Sequence, residues 1–166
     1  MFELKPISHD SVAGALAKSE RYRLLNEPGE AESICRDILE IEPGNQQALI
    51  SLLLALTDQL PVNSRAFADA LTIVERLDAP YDRAYYAGIA WERRAKARHD
   101  GSGHSSHRYA YDWLMNALDL FEKAEHLRAP GNDDAVLRWN ACIRYLGCHK
   151  ELAPTAEEAP EPIMME

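Results

Sequence analysis

The 166 residues carry 18 lysines and arginines against 27 aspartates and glutamates, a formal net charge of -9. Nucleic-acid binding is driven by basic side chains that displace counterions from the phosphate backbone, so this balance works against a DNA or RNA partner. No apolar run approaches the ~20 residues that span a bilayer, the first ten residues lack the apolar stretch of a secretory signal, and Cys35, Cys142 and Cys148 form neither a CxxC pair nor an even set; the expectation is a cytoplasmic protein with no membrane, disulfide framework or zinc knuckle.

An apolar share of 46% with only 8 glycines, in long Ala/Leu/Glu/Arg stretches, favours helix over sheet and predicts an all-α chain. The first helix is expected over residues 10–25, through Val12, Leu16, Ser19 and Tyr22, until Asn26-Glu27-Pro28-Gly29 stops it. The second, over 28–42, has its apolar stripe at Ala31, Ile34, Cys35, Ile38, Leu39 and Ile41, and ends at Pro43-Gly44-Asn45. Asn45 is placed to cap the third, 46–59, whose run of leucines requires cover on most sides. Asn63 or Ser64 is expected to cap the fourth, which reaches 77 through Phe67, Ala70, Leu71 and Val74. The fifth starts near 82 and carries Tyr85, Gly88, Ile89 and Trp91 to about 98. After a polar gap at 99–107 the sixth carries Tyr109, Trp113, Leu114, Ala117, Leu118, Phe121, Ala124 and Leu127. Asn132, followed by Asp133 and Asp134 where the helix dipole favours negative charge, opens a seventh to about 148. All three cysteines fall on helical segments, where a free cysteine serves as a small core residue. Residues 1–9 read as an extension, 10–150 as one helical domain, and 151–166, with its prolines and glutamates, as a disordered acidic tail.

Pro43-Gly44-Asn45-Gln46-Gln47-Ala48 and Pro130-Gly131-Asn132-Asp133-Asp134-Ala135 share the pattern PGNxxA, each between two helices. Leu77-Asp78-Ala79-Pro80 and Leu127-Arg128-Ala129-Pro130 match in the same way, so the chain repeats internally. With Pro43 as a terminal proline, Tyr22 and Ala31 stand at the aromatic and small positions of a two-helix unit; Gly88 and Trp91, then Ala117-x3-Phe121-x2-Ala124, do so in a later one. On these residues, spread over 12–148, the chain resembles the tetratricopeptide repeat family. The resemblance implies antiparallel hairpins at 10–42, 45–78 and 82–128, stacked as a right-handed superhelix, with 132–148 as a capping helix. The second unit departs from the pattern at Leu53 and Phe67, and the third carries an insertion that should lengthen both its helices by a turn or more.

Family members hold peptides or helices on the concave wall made by the first helix of each unit. Carried over by position, that wall comprises Leu16, Glu20 and Arg23, then Gln47, Ile50, Leu54 and Asp58, then Tyr85, Ile89, Glu92 and Arg93, then Leu137, Ala141, Arg144 and Tyr145. The resemblance therefore implies a scaffold or adaptor for a segment of another protein, apolar in its middle and charged at its edge. The plainer reading makes Leu54 and Ile89 core and pairs Arg93 and Arg144 with nearby glutamates. No nucleophile with a base, phosphate loop or carboxylate pair stands at a recognisable spacing, so no enzyme activity and no cofactor is expected. His99, Asp100, His104 and His107 have metal-ligand chemistry, but the Gly-Ser stretches among them read as a solvated loop. Tyr109 and Trp113 fall on one helical face and Tyr111 nearly opposite, which leaves one aromatic to solvent. A chaperone for one client, a metal-dependent helical protein using the histidine loop, and a homodimer are the competing expectations.

Overall fold

A computed structural model of the chain describes residues 2–60, 62, 63, 65–99 and 104–153, the side chains of 104–106 excepted. Among these residues the regular elements are all helical: α1 Val12–Leu24, α2 Pro28–Ile41, α3 Gln46–Asp58, α4 Ala66–Glu75, α5 Pro80–His99, α6 His104–Leu127 and α7 Asp134–Cys148, with 3-10 turns at His9–Ser11 and Lys150–Leu152. The all-α expectation holds. Among the described residues no helix is long and apolar enough to cross a membrane.

Local chemistry sets most boundaries. Asn26 at φ 60 leaves α1 in the left-handed conformation, and the amides of Asn26 and Glu27 return to the carbonyls of Arg23 and Tyr22 at 3.0 and 2.9 Å, a Schellman closure built on asparagine instead of glycine. Pro28 then opens α2, where a missing N–H costs nothing. The Asn45 side chain accepts the amide of Ala48 at 3.0 Å, as expected of a cap. Asn45→Ala is expected to lower stability by about 1 kcal/mol, read as a melting temperature about 2–4 °C lower. The second PGN turn has a different geometry: Gly131 takes φ 84, and Asn132 accepts the amide of Asp134, two residues on, at 3.0 Å. Asn63, one of the two expected caps, does not serve α4. The Asn63 side-chain Oδ1 accepts from the Arg65 amide in a local turn, Ser64 lies outside the described residues, and the helix starts only at Ala66.

The predicted lengthening of the third unit is present: α5 has 20 residues and α6 has 24, against 10 to 14 in α1 to α4. These two long helices share the most extensive contact in the fold, and every consecutive pair of helices packs together. In addition α1 touches α3 and α3 touches α5, so these three helices lie side by side. One core, from α1 to α4, centres on Cys35, Ile38, Leu49, Leu52, Leu53 and Leu56; a second, from α5 to α7, centres on Ile89, Leu114, Ala117, Phe121 and Cys142. Leu54 and Tyr86 pack against both and join them. Ala84, Ala124 and Ala135 form a separate small-residue contact.

Two expectations need correction. Leu152, assigned to a disordered tail, is 1% exposed and packs in the second core, so the folded chain continues through Lys150–Leu152; residues 154–166 of that tail lie outside the described residues. A single apolar side chain at the right distance is enough to dock a turn, whatever the composition after it. Cys148 is exposed, unlike Cys35 and Cys142, because it sits one helical step from the face that packs inward. Burial pushes the Cys142 thiol up to about 12, as suits an inert core thiol.

Candidate interaction face

A seam of ionised side chains runs across α1, α3 and α5 and is joined by one side chain of α7. Asp58, the last residue of α3, stands where the helix dipole disfavours an anion. Two arginines offset this: Arg23 Nε from α1 reaches Oδ2 at 2.8 Å, and Arg93 Nη1 from α5 reaches Oδ1 at 2.6 Å. Arg93 Nη1 also donates to Thr57 Oγ1 at 2.6 Å and to the Leu54 carbonyl at 3.2 Å, an oxygen that the Thr57 hydroxyl reaches as well. Burial lowers the Arg93 pKa, opposed by Asp58, with Arg23, Arg138 and Glu92 all contributing to the field there.

Glu92 follows the opposite course. One residue before Arg93, it points about 100° round the helix, toward α7. It is 1% exposed, with Lys96 Nζ at 2.6 Å one turn on and Arg138 Nη1 of α7 at 3.4 Å. Burial acts to lower the Arg138 pKa, but Glu92 and a hydrogen bond to Tyr85 outweigh it and leave it raised. Tyr85 in turn stacks on Tyr81 with centroids 5.6 Å apart and meets Phe121 at 6.1 Å. Among the described residues, then, four cations share two carboxylates along α1, α3, α5 and α7.

The structure sorts the positions named from sequence into three groups. Arg23, Asp58, Glu92 and Arg93 come together in the seam, with Tyr85 beside it. Ile89 is 2% exposed and belongs to the core, which removes it as a contact residue; Leu54 is half-buried and bridges the two cores, and Ile50 and Leu16 pack partly on the first. Glu20 and Gln47 are exposed. On α7, Leu137 is 63% exposed, Arg144 is exposed and Ala141 half-buried between them at helical spacing, whereas Tyr145 turns toward α5 and places its hydroxyl 2.6 Å from His99 Nδ1. Lys96 and Arg138 are the members that sequence reasoning missed. Lys96 stands one helical turn after Glu92, a local spacing that could have found it. Arg138 has no such signal: its only mark in the sequence is a charge flanked by the apolar positions of α7, and its carboxylate partner lies 46 residues away.

The aromatic expectation at the start of α6 is met: Tyr109 is exposed and faces Trp113 with centroids 6.0 Å apart, while Tyr111 packs in the second core. Trp113 is not free surface, since Arg94 lies 3.9 Å from its ring and 4.0 Å from that of Phe67. Phe67, at a position where the repeat pattern has a small residue, is held by this sandwich and by an edge contact to Trp91 at 4.7 Å. A cleft of about 270 Å³ beside it, lined by Leu60, Phe67, Arg94, Ala97, Arg98 and Trp113, is separate from the seam. No family model matches this chain, and no curated protein is significantly similar to it.

Proposed function

We propose that the chain is a helical repeat scaffold of tetratricopeptide type, which holds a segment of another protein across the face made by α1, α3, α5 and α7. The observation that carries this reading is the seam itself. Four cations around two carboxylates leave surplus positive charge on one face of a chain whose net charge is -9. Exposed Leu137 and Arg144 lie on the last helix of that face. A segment offering one or two carboxylates beside an apolar side chain complements both.

Three features support the repeat reading. The side-by-side contacts of α1 with α3 and of α3 with α5 are those of stacked hairpins. Ala117, Phe121 and Ala124 are each 0% exposed, as is Ala31. Gly88 lies so close under Phe121 that a Cβ would stand 2.6 Å from the ring. In a right-handed stack, α7 closes the last hairpin's open face.

The test is capture from native extract by the wild-type chain and by a Leu137→Asp, Arg144→Glu variant, both changes falling on exposed positions that leave the folded state intact. The partner's yield should fall about tenfold or more with the variant, and wild-type capture should weaken as salt screens the charges. Equal yield with both chains, at unchanged helicity, sinks the assignment of the face.

A further inference from the structure

His99, His149 and Glu151 come together at the far end of the seam, from segments 50 residues apart in sequence. His99 is the last residue of α5, and His149 directly follows α7. Glu151 sits on the Lys150–Leu152 turn, which is anchored by the buried Leu152. One ligand atom from each lies within 4.8 Å of the others. His99 Nε2 is 3.3 Å and His149 Nδ1 3.0 Å from the same carboxylate oxygen, Glu151 Oε1.

We propose that these three side chains form a binding site for a divalent transition-metal cation, Zn2+ in the first place. The spacing fits the ion. Tetrahedral zinc with bonds of ~2.0–2.1 Å holds its ligand atoms about 3.4 Å apart, and two of the three edges are already within a few tenths of that length. The chemistry of the donors fits as well: two imidazoles with one carboxylate suit zinc and its neighbours, whereas magnesium and calcium take oxygen cages. His99 has the outer partner that metal-ligating histidines use. Its Nδ1 lies 2.6 Å from the Tyr145 hydroxyl, so an Nδ1–H donated there leaves the Nε2 lone pair for the metal. The carbonyl ends of α5 and α7, both partially negative, converge on the same point and favour a cation.

His99 is the most enclosed of the three, its side chain 13% exposed against 34% for His149 and 48% for Glu151. Among the described residues, the site is therefore open on the side of the C-terminal turn. Bound metal ties the end of α5 to the turn after α7 and fixes the last helix of the proposed binding face. The groove reading neither depends on this site nor supports it.

Titration calorimetry of the chelator-stripped chain with zinc chloride tests the proposal. One equivalent per chain should bind, with a rise in melting temperature, while magnesium and calcium chlorides give neither. The His149→Ala, Glu151→Gln variant, altered at side chains a third or more exposed, should keep its helicity and lose more than about tenfold in zinc affinity. Zinc bound equally well by the variant places the ion on other histidines and overturns the proposal, as does the absence of binding to the wild-type chain.

Discussion

Phe121→Ala should destabilise the chain by about 3–5 kcal/mol, the range for emptying a fully buried phenylalanine site, with the midpoint of urea unfolding falling accordingly. Phe121 is 0% exposed and its ring fills the space above Gly88, where three ring carbons would stand 2.6 to 3.1 Å from an added Cβ. The cavity cannot close easily, because the glycine has no side chain to move into it. The converse substitution is informative. Gly88→Ala gains about 1 kcal/mol of helix propensity but forces the ring to move, and overpacking costs about 1–3 kcal/mol, so a net loss is expected. In a Phe121→Leu background that loss should shrink or reverse, and the double-mutant cycle measures the coupling. Simple addition of the two effects contradicts the account of Gly88 as the seat of Phe121.

The same pair shows what kind of information a single sequence holds. Gly88, Ala117, Phe121 and Ala124 were legible because close helix packing needs small and large residues at fixed spacings, and spacing is a property of the sequence. The stops at Asn26-Glu27-Pro28 and Pro43-Gly44-Asn45 were legible for a similar reason, since caps and turns act within a few residues. Asn63 misled because its side chain has two local uses, capping a helix or closing a turn before one, and the long linker to α4 selects the second. Leu152 misled because burial is decided by what lies opposite in space, here the α6 and α7 core, and composition averages over that.

The candidate face was legible in outline and not in its pairings. Position along a helix says which side a residue faces, but not how deep it lies, so Ile89 passed for a contact residue although the α5 to α7 core closes over it. Adjacent Glu92 and Arg93 were grouped together, yet the 100° step between them sends one to α7 and the other to α3. The partners that give the seam its charge, Arg138 for Glu92 and Asp58 for Arg93, stand 46 and 35 residues away, and no local pattern links them. The histidines follow the same rule. The polar loop drew attention to His99, Asp100, His104 and His107, of which Asp100 lies outside the described residues. The His104 side chain lies outside them too, and the His107 ring stands 5.6 Å from that of His99, which also gathers His149 and Glu151, residues that no spacing relates to it.

Glu92 is where the seam bears most heavily on stability. Removing one member of a buried ion pair costs about 3–5 kcal/mol because the remaining charge is stranded. Here the carboxylate is enclosed, but the side chains of Lys96 and Arg138 are 35% and 36% exposed, and their heads can turn to water once it is gone. The stranded-charge penalty is thus partly relieved, and Glu92→Ala should cost about 2–3 kcal/mol. Glu92→Gln, which keeps the shape and the acceptor oxygen but not the charge, should cost about half as much. Pairing Glu92→Leu with Arg138→Leu should recover part of the single-variant loss, since apolar groups of similar size often replace an ion pair without cost. Urea denaturation of the three variants separates these cases. If Glu92→Ala stays within about 0.5 kcal/mol of the wild type, as surface changes do, the carboxylate is not holding α5 to α7. The seam would then owe its order to the Arg23, Asp58 and Arg93 cluster alone.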